Sequence, residues 1–315
     1  VPDARRETLA QMPPPLGPLL ARYRELSKMA SAYGETFLAH VGPDGRIHPQ
    51  FEQIGASTGR LSCQRPNLQA IVKDAPHRTC FRVAAHRRLV MADYAACELR
   101  ILAEMSGDPV FADAFRRGED LHARVAGEMF GKPVSKTQNP ELRERAKAVN
   151  FGLAYGMGAA GLARAIDTDV SQARELLTRY FKTFPRIGGF LEQSAREALA
   201  RGYARTLTGR RLYLAPGDER GERAQAERIA KNMPIQGTSA DIIKIALARL
   251  RPRLAAFHDC WLTNSIHDAI VVECDATEVD TVVSAVSEEM VAAGAEVLRR
   301  IPLVADLQIS TSWDK

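Results

Sequence analysis

Arg143-Glu144-Arg145-Ala146-Lys147-Ala148-Val149-Asn150-Phe151-Gly152-Leu153-Ala154-Tyr155-Gly156 carries cations and aromatic rings at steps of four. A helix of 3.6 residues per turn drifts only about 40° per four-residue step, so Arg143, Lys147, Phe151 and Tyr155 share one face. Two cations occupy one end of that face and two rings the other. A core face excludes Arg and Lys, and a merely solvated face has no use for Phe and Tyr. A surface that holds a nucleotide uses both, cations for the triphosphate and flat rings for sugar and base. Gly152 and Gly156 let another backbone or a base come close. Periodicity alone leaves the nucleotide reading open.

Outward from this helix, the pattern is helical from about 111 to 200. Leu176, Leu177, Tyr180, Phe181 and Phe184 form one apolar face that Pro185 ends, and Ile187, Phe190, Leu191, Ala195 and Leu199 form another that stops at Gly202. Strand-like runs lie on both sides of this block. Leu89-Val90-Met91-Ala92-Asp93 reads as a buried strand ending in an acid, with helical periodicity resuming at Leu99 and stopping near Gly107-Asp108-Pro109. Two β-type runs, Leu262 to Ile266 and Ile270 to Glu273, flank His267-Asp268, and Leu303 to Ser310 alternates as a strand with one polar face. Arg205 to Leu214 reads as a hairpin. A helix from near Arg223 is expected to break at Pro234 and restart after Thr238-Ser239, with Asp241 in its first turn. Thr277 and Asp280 read as a capping box. Residues 40–90 read as loops and short strands, Leu19 to Tyr33 as a helix, and Met12 to Pro18 as a stiff connector.

The 315 residues have 45% hydrophobic and 26% charged residues, a globular profile, with a net charge of +5 and a pI near 9.0. That excess suits a polyanionic partner without proving one. Arg201, Arg205, Arg210 and Arg211 fall within eleven residues that hold no acid, which is either a solvated basic face or a nucleic-acid contact. The five cysteines are odd in number and make no CxxC pair, so reduced thiols are expected rather than disulfides or a zinc site. No apolar run reaches the roughly 18 residues of a membrane span. Val1-Pro2-Asp3-Ala4-Arg5-Arg6 does not read as a signal peptide, and a first residue other than Met hints at a piece of a longer chain.

The pattern R-x-x-x-K-x-x-x-F-G-x-x-Y-G from Arg143 to Gly156 resembles motif B of family A DNA polymerases. Asp93-Tyr94-Ala95-Ala96-Cys97-Glu98-Leu99-Arg100 resembles their motif A, D-Y-S-Q-I-E-L-R. Ser265-Ile266-His267-Asp268-Ala269 resembles their motif C, V-H-D-E. Ser57-Thr58-Gly59-Arg60-Leu61-Ser62 and Pro66-Asn67-Leu68-Gln69 are similar to the family's T-G-R-L-S and P-N-L-Q segments. The likeness runs from about residue 20 to the end.

An Asp at a strand end is usually a turn former. The resemblance instead implies that Asp93 and Asp268 hold two Mg²⁺ ions, with the Tyr94 carbonyl as a third contact and Mn²⁺ as a substitute. It implies that Arg143 and Lys147 grip the incoming triphosphate, with Lys147 also protonating pyrophosphate. Phe151 would stack beside sugar and base, Tyr155 would sit by the template position, and His122 would contact the triphosphate. Glu98, held by Tyr155, would crowd a 2′-hydroxyl and favour dNTP over NTP. Arg60, Asn67, Gln69, Arg228, Asn232, Gln236 and His267 would lie along the primer-template, sensing duplex shape through minor-groove acceptors common to every base pair.

The implied fold is α+β: a right-hand polymerase with an antiparallel-sheet palm and a helical fingers insertion. Its implied bounds are a connector and thumb remnant at 1–34, palm at 35–110 and 222–315, and fingers at 111–221. The implied reaction is templated addition of dNTPs to a primer 3′ end with release of pyrophosphate, away from membranes, in the cytoplasm of a bacterium or phage-infected cell, with an organelle as the alternative compartment. Ala269 replaces the family's glutamate, and Ala95 and Ala96 replace Ser and Gln. A non-catalytic primer-template-binding module, a single-subunit RNA polymerase and a two-metal nuclease remain alternatives. Intact Asp93, Asp268, Lys147 and Arg143 count against the first, Glu98 and Phe151 against the second, and the cation-aromatic helix against the third.

Overall fold

The structure is a computed structural model that describes residues 8, 9, 12–72, 75–154, 156–215, 217 and 219–313. They form two compact units.

The first unit takes the described residues up to Glu52 together with Ser62–Ala70. Helix α1 (Leu16–Tyr33) starts three residues earlier than expected and runs through Pro18. Proline is tolerated there because the first N–H groups of a helix have no intrahelical acceptor. A short α2 (Glu35–Leu38) follows, and β1 (Gln50–Glu52) pairs antiparallel with β2 (Ser62–Gln64). The expected short strands between 40 and 90 are these two. The Asn67 side chain accepts from the Gln69 amide at 3.1 Å, shaping a single 3₁₀ turn at Leu68–Ala70.

The second unit, Gln53–Leu61 with the residues from Ile71 onward, includes the short helix α3 (Ala75–Arg78) and is built on a four-stranded antiparallel sheet. Its central strand β3 (Arg87–Tyr94) pairs on one side with β7 (Ala269–Asp275) and on the other with β8 (Ala305–Ser310), while β6 (Trp261–Ile266) completes the far edge. The run Leu89-Val90-Met91-Ala92 is buried throughout, as a central strand covered on both faces demands. Helix α12 (Val279–Val297) packs on β3, burying Val282, Val286 and Met290, and the Tyr94 hydroxyl donates to the Met290 carbonyl at 2.7 Å.

Between β3 and the next strand the chain is helical, as expected. Helices α4 (Cys97–Ser106), α5 (Pro109–Arg117), α6 (Leu121–Phe130), α7 (Pro140–Ala154), α8 (Ala159–Ala165), α9 (Val170–Thr183) and α10 (Pro185–Arg201) follow in turn. Asp108 and Asp120 cap α5 and α6 through their side chains. Tyr180 on α9, Phe184 at the junction between the helices and Ile187 on α10 are fully buried, which bears out the two apolar faces and the break at Pro185. The hairpin is β4 (Tyr203–Arg205) with β5 (Arg211–Tyr213).

Two expectations fail. The helix expected to break at Pro234 is one 35-residue helix, α11 (Arg220–Leu254), with Pro234 inside it. Proline forfeits one backbone hydrogen bond, but Ala230, Met233 and Ile235 around it are buried, so tertiary packing holds the helix where local bonding is weakest. Thr238 is therefore no cap: its hydroxyl donates to the Pro234 carbonyl at 2.6 Å and accepts from the Leu207 amide at 3.0 Å. Asp241 is mid-helix, paired with Arg210. The Thr277–Asp280 capping box is also absent. Thr277 donates to Asp275 Oδ1 through both its amide and its hydroxyl, closing a turn before α12. A capping box does exist at Glu219 and Glu222, opening α11.

The described cysteines are all free, and no helix among the described residues is long and apolar enough to cross a membrane.

Candidate active site

Strand register brings the two aspartates together. Asp93, near the end of β3, is the cross-strand partner of Ala269, the first residue of β7. Asp268 precedes Ala269 in the tight turn from β6, and its carbonyl accepts from the Tyr94 amide at 3.3 Å. His267 in that turn adopts φ +57°, a left-handed conformation that non-glycine residues hold at some cost, and its ring is exposed. Burial, then the negative charges of Asp93 and Glu98, push the Asp268 carboxyl up to about 6, while the Arg60 guanidinium works the other way. Carboxylates that crowd one another and a nearby backbone carbonyl make an all-oxygen donor set, which fits a hard divalent cation. Among the described residues, no group of three or more His, Cys, Asp or Glu converges as a metal cage.

Glu98 lies in the first turn of α4, which follows Ala96, a residue in a left-handed conformation. Its carboxylate is only 6% exposed and accepts from an Arg60 terminal nitrogen at 2.6 Å. The pairing of these two residues, 38 apart in the chain, was not foreseen in the sequence.

On α7, Arg143 donates from Nε to Asp120 Oδ2 at 2.8 Å and from a terminal nitrogen to Glu144 Oε1 at 2.8 Å. Lys147 Nζ stands 3.6 Å from Glu144 Oε2 and is half-exposed. The other oxygen of Asp120 caps α6 by accepting from the His122 and Ala123 amides. One carboxylate thus orients two residues expected at the triphosphate. The His122 ring lies 5.4 Å from the Phe151 ring and within 3.0 Å of Asn150 Nδ2. Burial, aided by Arg143 and Lys147 and opposed by Asp120, lowers the His122 imidazole to about 4, so it is neutral at pH 7.

Arg143, Lys147, His122 and Phe151 are therefore one cluster. Asn150 and Asp120 belong to it too, although the four-residue periodicity does not single them out. Asn150 is fully buried and its Oδ1 has no partner within the protein. The signal for Asp120 was available: an Asp directly before a helical run.

Tyr155 lies outside the described residues. Gly156, just past α7, has φ +64°, and a Cβ there would stand 2.4 Å from Asn232 Nδ2 and 2.8 Å from Arg228 Cγ. The end of α7 is thereby pressed against the α11 face that carries Arg228 and Asn232, with Gln236 one turn further on. Asn67 and Gln69 belong to the first unit, whereas Arg60 belongs to the second.

An antiparallel sheet with two acids at adjoining strand ends shares its folded unit with a helical block that carries clustered cations and a ring, an α+β architecture. The chain belongs to DNA polymerase family A, whose model matches residues 3–315. It is 38% identical over 306 residues to the thermostable DNA polymerase I of Thermus filiformis, covering 95% of this chain and 36% of that protein. It is 36% identical over 323 residues to DNA polymerase I of Pseudomonas aeruginosa, covering 98% of this chain and 34% of that one. The chain thus spans about a third of the length of these curated relatives. Among solved structures it is similar to the POL domain of Pol1 from M. smegmatis in complex with DNA primer-template and dNTP. That match has a TM-score of 0.90 and 34% identity, and covers 99% of this chain and 56% of that one. The α+β fold is thus that of a polymerase domain, and a divalent metal goes with the family.

Proposed function

We propose that this chain is the palm and fingers of a template-directed DNA polymerase that extends a primer 3′ end with dNTPs and releases pyrophosphate. The palm would be 35–110 with 222–315, and the fingers 111–221. The observation that carries the reading is the convergence of Asp93 and Asp268 at neighbouring strand ends, joined by the Tyr94–Asp268 backbone bond, in the same folded unit as Arg143 and Lys147.

Asp93, Asp268 and the Tyr94 carbonyl would hold two Mg²⁺ ions, for which Mn²⁺ could substitute. When bound, these supply an acidified 3′ hydroxyl and charge stabilisation at the leaving oxygen. Arg143 binds the triphosphate as a planar fork already oriented by Asp120. Lys147, half-exposed and paired only at 3.6 Å with Glu144, is placed to reach a phosphate and give its proton to pyrophosphate. His122 is neutral, so it contributes a hydrogen bond rather than a charge. Phe151 stacks on the nucleotide, and Tyr155 would serve the template position. Glu98, held by its charge-assisted bond from Arg60, crowds a 2′-hydroxyl. Arg60, Asn67, Gln69, Arg228, Asn232, Gln236 and His267 follow the duplex. Positioning and electrostatics carry phosphoryl transfer, and these residues provide both. The bacterial origin of the named relatives supports a cytoplasmic setting.

The test is single-nucleotide extension of a labelled primer-template with Mg²⁺, comparing wild type with Asp268→Ala and each dNTP with its NTP. Templated extension by wild type alone, with dNTP preferred, is expected. Tight duplex binding without extension would instead make the chain a binding module.

A further inference from the structure

Arg210 does more than add charge to the basic hairpin. Its Nε donates to Asp241 Oδ1 at 2.6 Å, and one terminal nitrogen donates to the Thr58 carbonyl at 2.6 Å and the Gly237 carbonyl at 3.0 Å. The second Asp241 oxygen accepts from the Thr208 hydroxyl at 2.5 Å. Gly59 lies directly against the guanidinium: with φ +84°, a Cβ there would stand 2.4 Å from Arg210 Cζ. One planar group therefore ties three separate pieces of chain together: the hairpin turn, the middle of α11, and the 58–60 loop. Two residues beyond Thr58, Arg60 reaches Glu98.

We propose that Arg210 is a positioning residue for sugar discrimination: clamped by Asp241, it fixes the Thr58-Gly59-Arg60 loop so that Arg60 holds Glu98 in place. This rests on the polymerase reading, which names the sugar of the incoming nucleotide as what Glu98 meets. The geometry explains why the group is arginine. A guanidinium presents Nε and a terminal nitrogen in one plane at fixed spacing, so it can bind a carboxylate and two carbonyls at once. A lysine offers one compact charge and cannot span the same acceptors. It also explains the glycine at 59, since any side chain there displaces the guanidinium. Once Arg60 drifts, the buried Glu98 carboxylate loses a 2.6 Å charge-assisted partner and shifts, because a buried charge relocates toward solvation.

The experiment uses the whole 315-residue chain with Arg210→Ala, Arg210→Lys, Asp241→Asn, Arg60→Ala and the Arg210→Ala/Arg60→Ala double variant. Two quantities are read: the ratio of kcat/KM for dNTP over NTP, and amide hydrogen exchange across residues 54–61. Arg210→Ala is expected to lower the dNTP preference about tenfold, less than the roughly 10²-fold that a 1 Å misplacement at a reacting centre can cost. Arg210→Lys should not restore it. The double variant should be no worse than Arg60→Ala, since both act through one contact. Exchange in 54–61 should quicken while the core of α4 stays protected. Asp241→Asn, which keeps shape and removes charge, gives the same signs if Arg210→Ala does not fold. Unchanged exchange in 54–61, or additive losses of preference from Arg210 and Arg60, overturns the proposal. A wild type that extends nothing overturns the polymerase reading, and exchange alone then decides whether Arg210 holds the loop.

Discussion

Asp93 faces Ala269 across the β3–β7 ladder, and Asp268 stands beside Ala269 in the chain. The residue at which this chain departs from the family's motif C is therefore the direct cross-strand neighbour of one proposed metal ligand and the chain neighbour of the other. Ala269→Glu adds a carboxylate where two already crowd. Like charges directly opposite on paired strands destabilise by about 0.2–1 kcal/mol. Without divalent metal the variant should melt lower than wild type, and Mg²⁺ should recover the loss and saturate extension at lower concentration. Melting and extension followed over a Mg²⁺ titration check this. Identical Mg²⁺ curves for the two proteins would place position 269 out of the metal's reach.

Lys147 is half-exposed, and its pairing with Glu144 is long at 3.6 Å. Exposed pairs of this kind contribute about 0–1 kcal/mol to folding, so Lys147→Ala should leave the melting temperature almost unchanged. If the ammonium protonates pyrophosphate, kcat should still fall about 10²–10⁴-fold, the usual worth of a general acid. Pre-steady-state extension with pyrophosphate and with a better leaving group separates the roles. An equal loss with both leaving groups would reduce Lys147 to electrostatic binding.

His122 sets a pH dependence whose sign is fixed by its environment. Burial lowers its imidazole from 6.5 to about 4 in the folded chain, so between those values the unfolded state binds the proton and the folded state does not. Its contribution to stability is complete above pH 6.5 and is lost as pH falls from there toward 4. Urea unfolding of wild type and His122→Gln at pH 5 and pH 7.5 should show a smaller pH effect in the variant. The difference has a ceiling of about 1.4 kcal/mol per pH unit for one proton. Equal slopes would mean that the imidazole is solvated.

What was legible in the sequence, and what was not, divides along range. The Leu89–Ala92 run and the steps of four in α7 are local patterns, and they gave β3, its terminal Asp93 and the Arg143–Phe151 face. The Pro234 break was a local rule overruled by burial of Met233 and Ile235 from outside the helix. Arg60 with Glu98, Arg143 with Asp120 and Asn150 with His122 are pairs 38, 23 and 28 residues apart. No periodicity encodes such pairs. They exist because the sheet and α4 fix where distant loops return. The sequence therefore pointed to individual site residues, while the partners that orient them needed the fold.

Gly156 links two of these long-range pieces, and its replacement is a direct probe of how α7 ends. Its φ of +64° is left-handed, and the space a Cβ needs is taken by Asn232 Nδ2 at 2.4 Å and Arg228 Cγ at 2.8 Å. Gly156→Ala therefore incurs both backbone strain and a clash, together about 1–3 kcal/mol. Asn232→Ala should remove the Asn232 part of the clash but leave Arg228 Cγ and the backbone strain, so the double variant should recover part of the loss and no more. Its own cost is the loss of a side chain whose Oδ1 is buried without a partner in the protein. Thermal or urea unfolding of the two single variants and the double gives the coupling as a cycle. A coupling near zero would mean that Asn232 yields freely and that α7 does not bear on α11. A coupling of about 1 kcal/mol, with weaker primer-template binding in Gly156→Ala, would mean that the end of the cation-aromatic helix sets the position of the α11 residues assigned to the duplex.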